Sequence, residues 1–115
     1  MTRTLPKRSI SLADDAGWAR PDVGLATRGR LAWRGLRPRP AGRALLMKAR
    51  SVHTFGMACP LRVAAIDPRG IVISSRIVAP GRVVWEPAAG WILEIDPADA
   101  GPAVGATVSP LASWR

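Results

Sequence analysis

The chain has 115 residues, the size of one globular domain, and is 48% apolar with five Trp, the single Phe55 and no Tyr. Its one cysteine, Cys59, excludes an internal disulfide, and Cys59 with His53 supplies only two of the four Cys or His ligands of an ordinary structural zinc site. The formal charge of +9 is uneven: residues 1–50 hold twelve Lys or Arg against three Asp, whereas residues 51–115 hold five of each sign, an asymmetry that admits anionic partners.

Residues 1–22 mix Lys, Arg, Ser, Asp and Pro with few apolar positions and predict a loose basic leader, in which Ile10 and Leu12 flanking Ser11 allow a short strand. A single domain is expected over 23–115. Within it, 23–26 reads as a short strand, and Thr27 can cap a helix that runs through Leu31, Ala32, Trp33 and Leu36 and stops at Gly35 and Pro38. Residues 37–42 form a Pro- and Gly-rich loop, and Ala44 to Met47 is a short apolar run suited to a buried strand.

The strongest strand pattern lies in the second half. The β-branched runs 61–67 and 71–75 flank Pro68-Arg69-Gly70, where Asp67-Pro68 initiates a turn and Gly70 tolerates positive φ, so an antiparallel hairpin follows. Val83-Val84-Trp85 and Trp91-Ile92-Leu93-Glu94-Ile95 read as further strands, the second with Trp91, Leu93 and Ile95 on one face, and Thr107-Val108 as a last edge strand. Eleven Gly and eleven Pro without a fixed period fit many turns. The expected fold class is mainly β (α+β), a small barrel-like or tightly folded antiparallel sheet with one short helix.

The stretch 50–63, with His53-Thr54-Phe55-Gly56-Met57 leading into Pro60-Leu61-Arg62-Val63, resembles the central signature of domain-of-unknown-function family 192: an aromatic residue and a Met, then Pro-Leu and a strand. Ala26-Thr27 with Arg34-Gly35-Leu36 resembles the family's helix, Asp67-Pro68-Arg69-Gly70 its hairpin turn and Leu93-Glu94-Ile95 its Leu-Glu strand, so the resemblance spans about residues 23–110. It implies the β-rich fold and transfers no settled chemistry. Arg62 stands where the family usually has Asp, Ala98 or a neighbour where it has Gly, and Ala106 where Gly-Asp is usual, which marks a divergent member.

His53, the only imidazole, is the side chain suited to proton transfer near neutral pH, and Ser51 shares its side of an extended strand, yet no oriented acid completes a triad. Cys59 is expected to pack as a small buried hydrophobe. Glu94 alternates with Leu93 and Ile95 and is expected to face solvent, while matching a family position. No P-loop or G-x-G-x-x-G occurs, so no nucleotide cofactor is expected, and no metal.

These residues lead to a non-enzymatic binding or accessory domain whose ligand or protein partner meets His53, Thr54, Phe55 and Met57, with Glu94 as a further candidate. Two alternatives stand beside it: non-specific polyanion contact through Arg28, Arg30, Arg34 and Arg37, with Trp18 and Trp33 interspersed, and a small hydrolase-like enzyme using His53. No apolar run approaches the ~18 residues that cross a bilayer and no signal peptide is evident, so the cytoplasm is the expected compartment.

Overall fold

In the computed structural model, residues 9–26 and 44–111 are described. Among them are nine strands: β1 (Ser9–Asp14), β2 (Ala19–Ala26), β3 (Ala44–Met47), β4 (Ser51–His53), β5 (Leu61–Ile66), β6 (Val72–Val78), β7 (Val83–Trp85), β8 (Trp91–Ile95) and β9 (Val108–Ser109). Seven form one sheet in the order β6-β5-β8-β3-β2-β1-β9, and β4 pairs with β7 in a separate ribbon. The protein is mainly β, as its turn-punctuated sequence predicts. The expected helix falls in residues 27–43 and lies outside the described residues.

The sheet curls until its two ends touch. Ile71 bridges to Thr107, the Val72 amide donates to the Ala106 carbonyl at 3.0 Å, and the Val108 amide donates to the Gly70 carbonyl at 2.7 Å. All pairs are antiparallel except β2–β3, which is parallel and departs from the expected all-antiparallel arrangement. Parallel neighbours cannot be joined by a tight hairpin, because the chain must first return to the end from which it started.

Apolar side chains gather on both sides of the sheet. Leu12, Val23, Leu46, Ile66, Val72, Leu93, Ile95 and Val108 fill the inside of the curl, and Leu45, Met47, Val63, Ala65 and Ile92 form a second core on the outer face, over which Val84 of the ribbon packs. Strands β3, β5 and β8 are therefore buried on both faces. This explains why they read as nearly unbroken apolar runs while β1 alternates.

Two local devices shape the edges. The β5–β6 turn is set by Asp67, whose Oδ1 accepts hydrogen bonds from the Arg69 and Ile71 amides at 2.8 and 3.0 Å, with Gly70 at φ +93°. Asp14 does the same between β1 and β2, accepting from the Ala16 and Trp18 amides at 2.9 and 2.7 Å.

The expectation of a loose leader extending to residue 22 is corrected from Ser9 onward, where β1 and most of β2 belong to the sheet. Leu12 and Val23 are buried and seat this hairpin, with Ile10, Trp18 and Leu25 packed half-buried beside them, while the alternate positions face outward and can be polar.

A ribbon with an uncovered apolar face

The β4–β7 ribbon turns two opposite faces to its surroundings. In its register Ser51 faces Trp85, Val52 faces Val84 and His53 faces Val83. Side chains alternate along a strand, so Val52 and Val84 turn onto the outer core while Ser51, His53, Val83 and Trp85 share the other face. That second face is open: Val83 and Trp85 are each 65% exposed. Phe55, 48% exposed, extends it by stacking on His53, ring centroids 5.1 Å apart and planes inclined by 29°.

The 53–57 loop is held from beneath. Thr54 is 1% exposed, and its Oγ1 donates to the Ala79 carbonyl at 2.7 Å and accepts from the Arg82 amide at 2.9 Å. Its own amide donates to the Arg82 carbonyl at 2.8 Å, and its carbonyl accepts from the Gly81 and Met57 amides at 3.0 and 3.2 Å. Met57 packs half-buried against the outer core. Thr54 and Met57 thus anchor the loop, and His53 and Phe55 are presented by it.

Two sequence expectations change here. Glu94 does not face solvent: it is 3% exposed on β8, between Leu45 of β3 and Val63 of β5, because the face opposite Leu93 and Ile95 is a second core. Burial pushes its carboxyl up to about 8. Cys59 is exposed, not packed, in the loop that leads to β5. Arg28, Arg30, Arg34 and Arg37 lie outside the described residues. Val83 and Trp85 are read from the sequence only as part of a strand; in the structure β7 buries Val84 alone and leaves both of them exposed.

A second polar cluster sits at one end of the curl. Asp99 accepts from Trp18 Nε1 at 2.9 Å, Arg20 Nη1 at 2.6 Å and the Gly101 amide at 2.8 Å, while Arg62 donates through Nε to the Asp99 carbonyl at 2.9 Å and through Nη1 to Ser75 Oγ at 3.0 Å. Partial burial alone would raise the Asp99 carboxyl. The Gly101, Trp18 and Arg20 hydrogen bonds and the Arg20 charge outweigh it and hold the group below the usual carboxylate range. Among the described residues no three His, Cys, Asp or Glu side chains gather as metal ligands.

The fold has a solved counterpart. The crystal structure of a protein designated a candidate transcription regulator from Sinorhizobium meliloti 1021 is similar with a TM-score of 0.73, covering 91% of this chain and 95% of that one at 15% sequence identity. At that identity the likeness is one of fold alone. No protein-family model matches the sequence, and no curated protein matches it significantly. Among the described residues no helix is long and apolar enough to cross a membrane.

Proposed function

We propose that the protein is a non-catalytic binding domain that takes an apolar, acidic segment of a partner protein on the open face of the β4–β7 ribbon. The observation that carries this is the exposure of Val83 and Trp85 on one face of the anchored ribbon, a face that Phe55, 48% exposed, extends. Exposed Arg50 and Arg82 precede the two strands, and neither belongs to an ion pair among the described residues, so acidic side chains on the partner complement them. His53 contributes through its stack on Phe55, which supports a recognition role without requiring proton transfer.

Selection from a displayed library of random twelve-residue peptides tests this reading. The enriched peptides are expected to combine aromatic or aliphatic residues with Asp or Glu, to lose at least tenfold in affinity for Phe55→Ala and Trp85→Ala, and to bind Val104→Ala unchanged. Enrichment of basic peptides, or binding indifferent to Trp85, overturns it.

A second reading rests on charge segregation. The described residues hold seven Lys or Arg and eight Asp or Glu, so the ten remaining basic residues, Arg28, Arg30, Arg34 and Arg37 among them, all fall in 1–8, 27–43 and 112–115, where there is no acid. This supports polyanion contact through those segments, and the fold neighbour's designation is compatible with it. Nucleic-acid affinity that falls steeply with salt and is lost when Arg28, Arg30 and Arg34 are neutralised is the expected signature. Divergent membership of family 192 also remains part of the proposal, supported by Pro60-Leu61 leading into β5, the Asp67 turn and Glu94 within β8.

A further inference from the structure

At the foot of the ribbon lies a cleft of about 440 Å³ lined by Lys48, Arg50, Pro68, Ala89, Gly90 and Trp91. Its volume falls in the range of small-ligand sites. The lining pairs two cations with an apolar wall and includes no acid. Lys48 Nζ is held 5.7 Å from the centroid of the Trp91 ring, and Trp91 itself is 8% exposed, so the indole lines the cleft with only a small part of its surface.

The acids nearest in sequence are engaged elsewhere. Asp67 Oδ1 caps its own turn, and Glu86 Oε2 accepts from Ser74 Oγ at 3.0 Å and from Arg76 Nη2 at 3.2 Å. Neither Lys48 nor Arg50 enters an ion pair among the described residues. The cleft is also preformed. The Ala89 amide donates to the Glu86 carbonyl at 3.0 Å and the Gly90 amide to the Ile66 carbonyl at 2.7 Å, while a Cβ at Gly90 would lie 2.9 Å from Pro68 Cα, so the two walls meet as closely as a glycine permits.

We infer that this cleft binds a small organic anion, an oxyanion head held between Lys48 and Arg50 and a planar apolar body against Trp91 and Pro68. Two cations that form no ion pair among the described residues, beside a largely apolar recess, favour that class over a neutral or cationic ligand. A carboxylate and a phosphate monoester share this chemistry, and the guanidinium of Arg50 can take either through two parallel hydrogen bonds.

The test is an NMR titration of the full chain with benzoate, phenyl phosphate and benzyl alcohol, following the Trp91 indole N–H, identified by its loss in Trp91→Phe. Saturable shifts are expected with one or both anions and none with the alcohol, and the tighter anion names the head group. Lys48→Gln/Arg50→Gln is expected to weaken anion binding at least tenfold, and Trp85→Ala to change it less than twofold. The inference is overturned if neither anion saturates the signal, if benzyl alcohol binds as well as the anions, or if the double variant binds unchanged. Loss of binding in Trp85→Ala would place the probe on the ribbon and overturn it too, whereas failure of the peptide selection leaves it standing.

Discussion

Glu94→Gln tests the outer core directly. The Glu94 carboxyl sits among Leu45, Val63 and Ile92, and burial alone raises it from 4.5 to about 8. The folded chain therefore keeps a proton that the unfolded chain sheds above pH 4.5, so fewer protons are bound on unfolding and stability falls as pH rises. The contribution is fully present below pH 4.5, declines through the interval to about 8, and is lost above it.

At about 1.4 kcal/mol per pH unit, wild type loses about 3 kcal/mol from this group between pH 4.5 and pH 7. Gln has the same shape and no charge to lose, so the difference in urea-unfolding free energy between Glu94→Gln and wild type should be small at pH 5 and grow to a few kcal/mol in favour of the variant at pH 8. Taking the difference removes every other titrating group. Parallel stability curves from pH 5 to pH 8 would show that Glu94 is ionised or solvated in the folded chain and would refute its place in a second core.

Further outcomes follow from individual contacts. Asp99→Ala removes the acceptor for Trp18, Arg20 and Gly101 and should lower stability by about 2 kcal/mol in urea unfolding. Because the folded Asp99 carboxyl lies below its ordinary value, wild type should lose that stabilisation as pH falls below about 4, and the variant should not. Thr54→Val keeps the shape but leaves the Arg82 amide without its side-chain acceptor; a loss of about 1–3 kcal/mol is expected, with faster hydrogen exchange at Arg82. Gly90→Ala drives a Cβ into Pro68 backbone and should cost about 1–3 kcal/mol in thermal unfolding while weakening benzoate or phenyl phosphate binding.

What could be read from the sequence was what local chemistry decides. The β5–β6 hairpin follows from Asp67 and Gly70, which act within five residues of one another, and β3 and β8 follow as strands from their short apolar runs. Long-range pairing was not legible. Nothing near Gly24 or Leu45 marks them as parallel partners, and within Ser9–Asp14 only the alternating Ile10 and Leu12 distinguish a seated edge hairpin from a polar leader. The same limit explains Glu94. A polar residue alternating with apolar ones has one pattern whether its face meets water or a second core, and only the placement of the ribbon over β5 and β8 decides. Half of the candidate surface was visible in His53 and Phe55; Val83 and Trp85 join it only because β7 pairs with β4 across some thirty residues of chain.

Polarity alone points to the Asp99 cluster rather than to the proposed ribbon surface. Asp99, Arg20, Arg62 and Trp18 make a dense cluster of charged and hydrogen-bonding groups. Yet each of these groups meets a partner within the chain, and a network satisfied in this way rigidifies the end of the sheet without needing a ligand. The ribbon presents the opposite condition: its inner face packs on the outer core, while Trp85 and Val83 remain 65% exposed on the other one. Uncovered apolar surface has free energy left to gain from association. Trp85→Arg should therefore leave unfolding free energy within about 0.5 kcal/mol of wild type while abolishing peptide capture. Asp99→Ala should do the reverse, lowering stability while leaving capture intact. If Trp85→Arg unfolds the protein instead, the indole is a structural support and the ribbon is not the recognition surface.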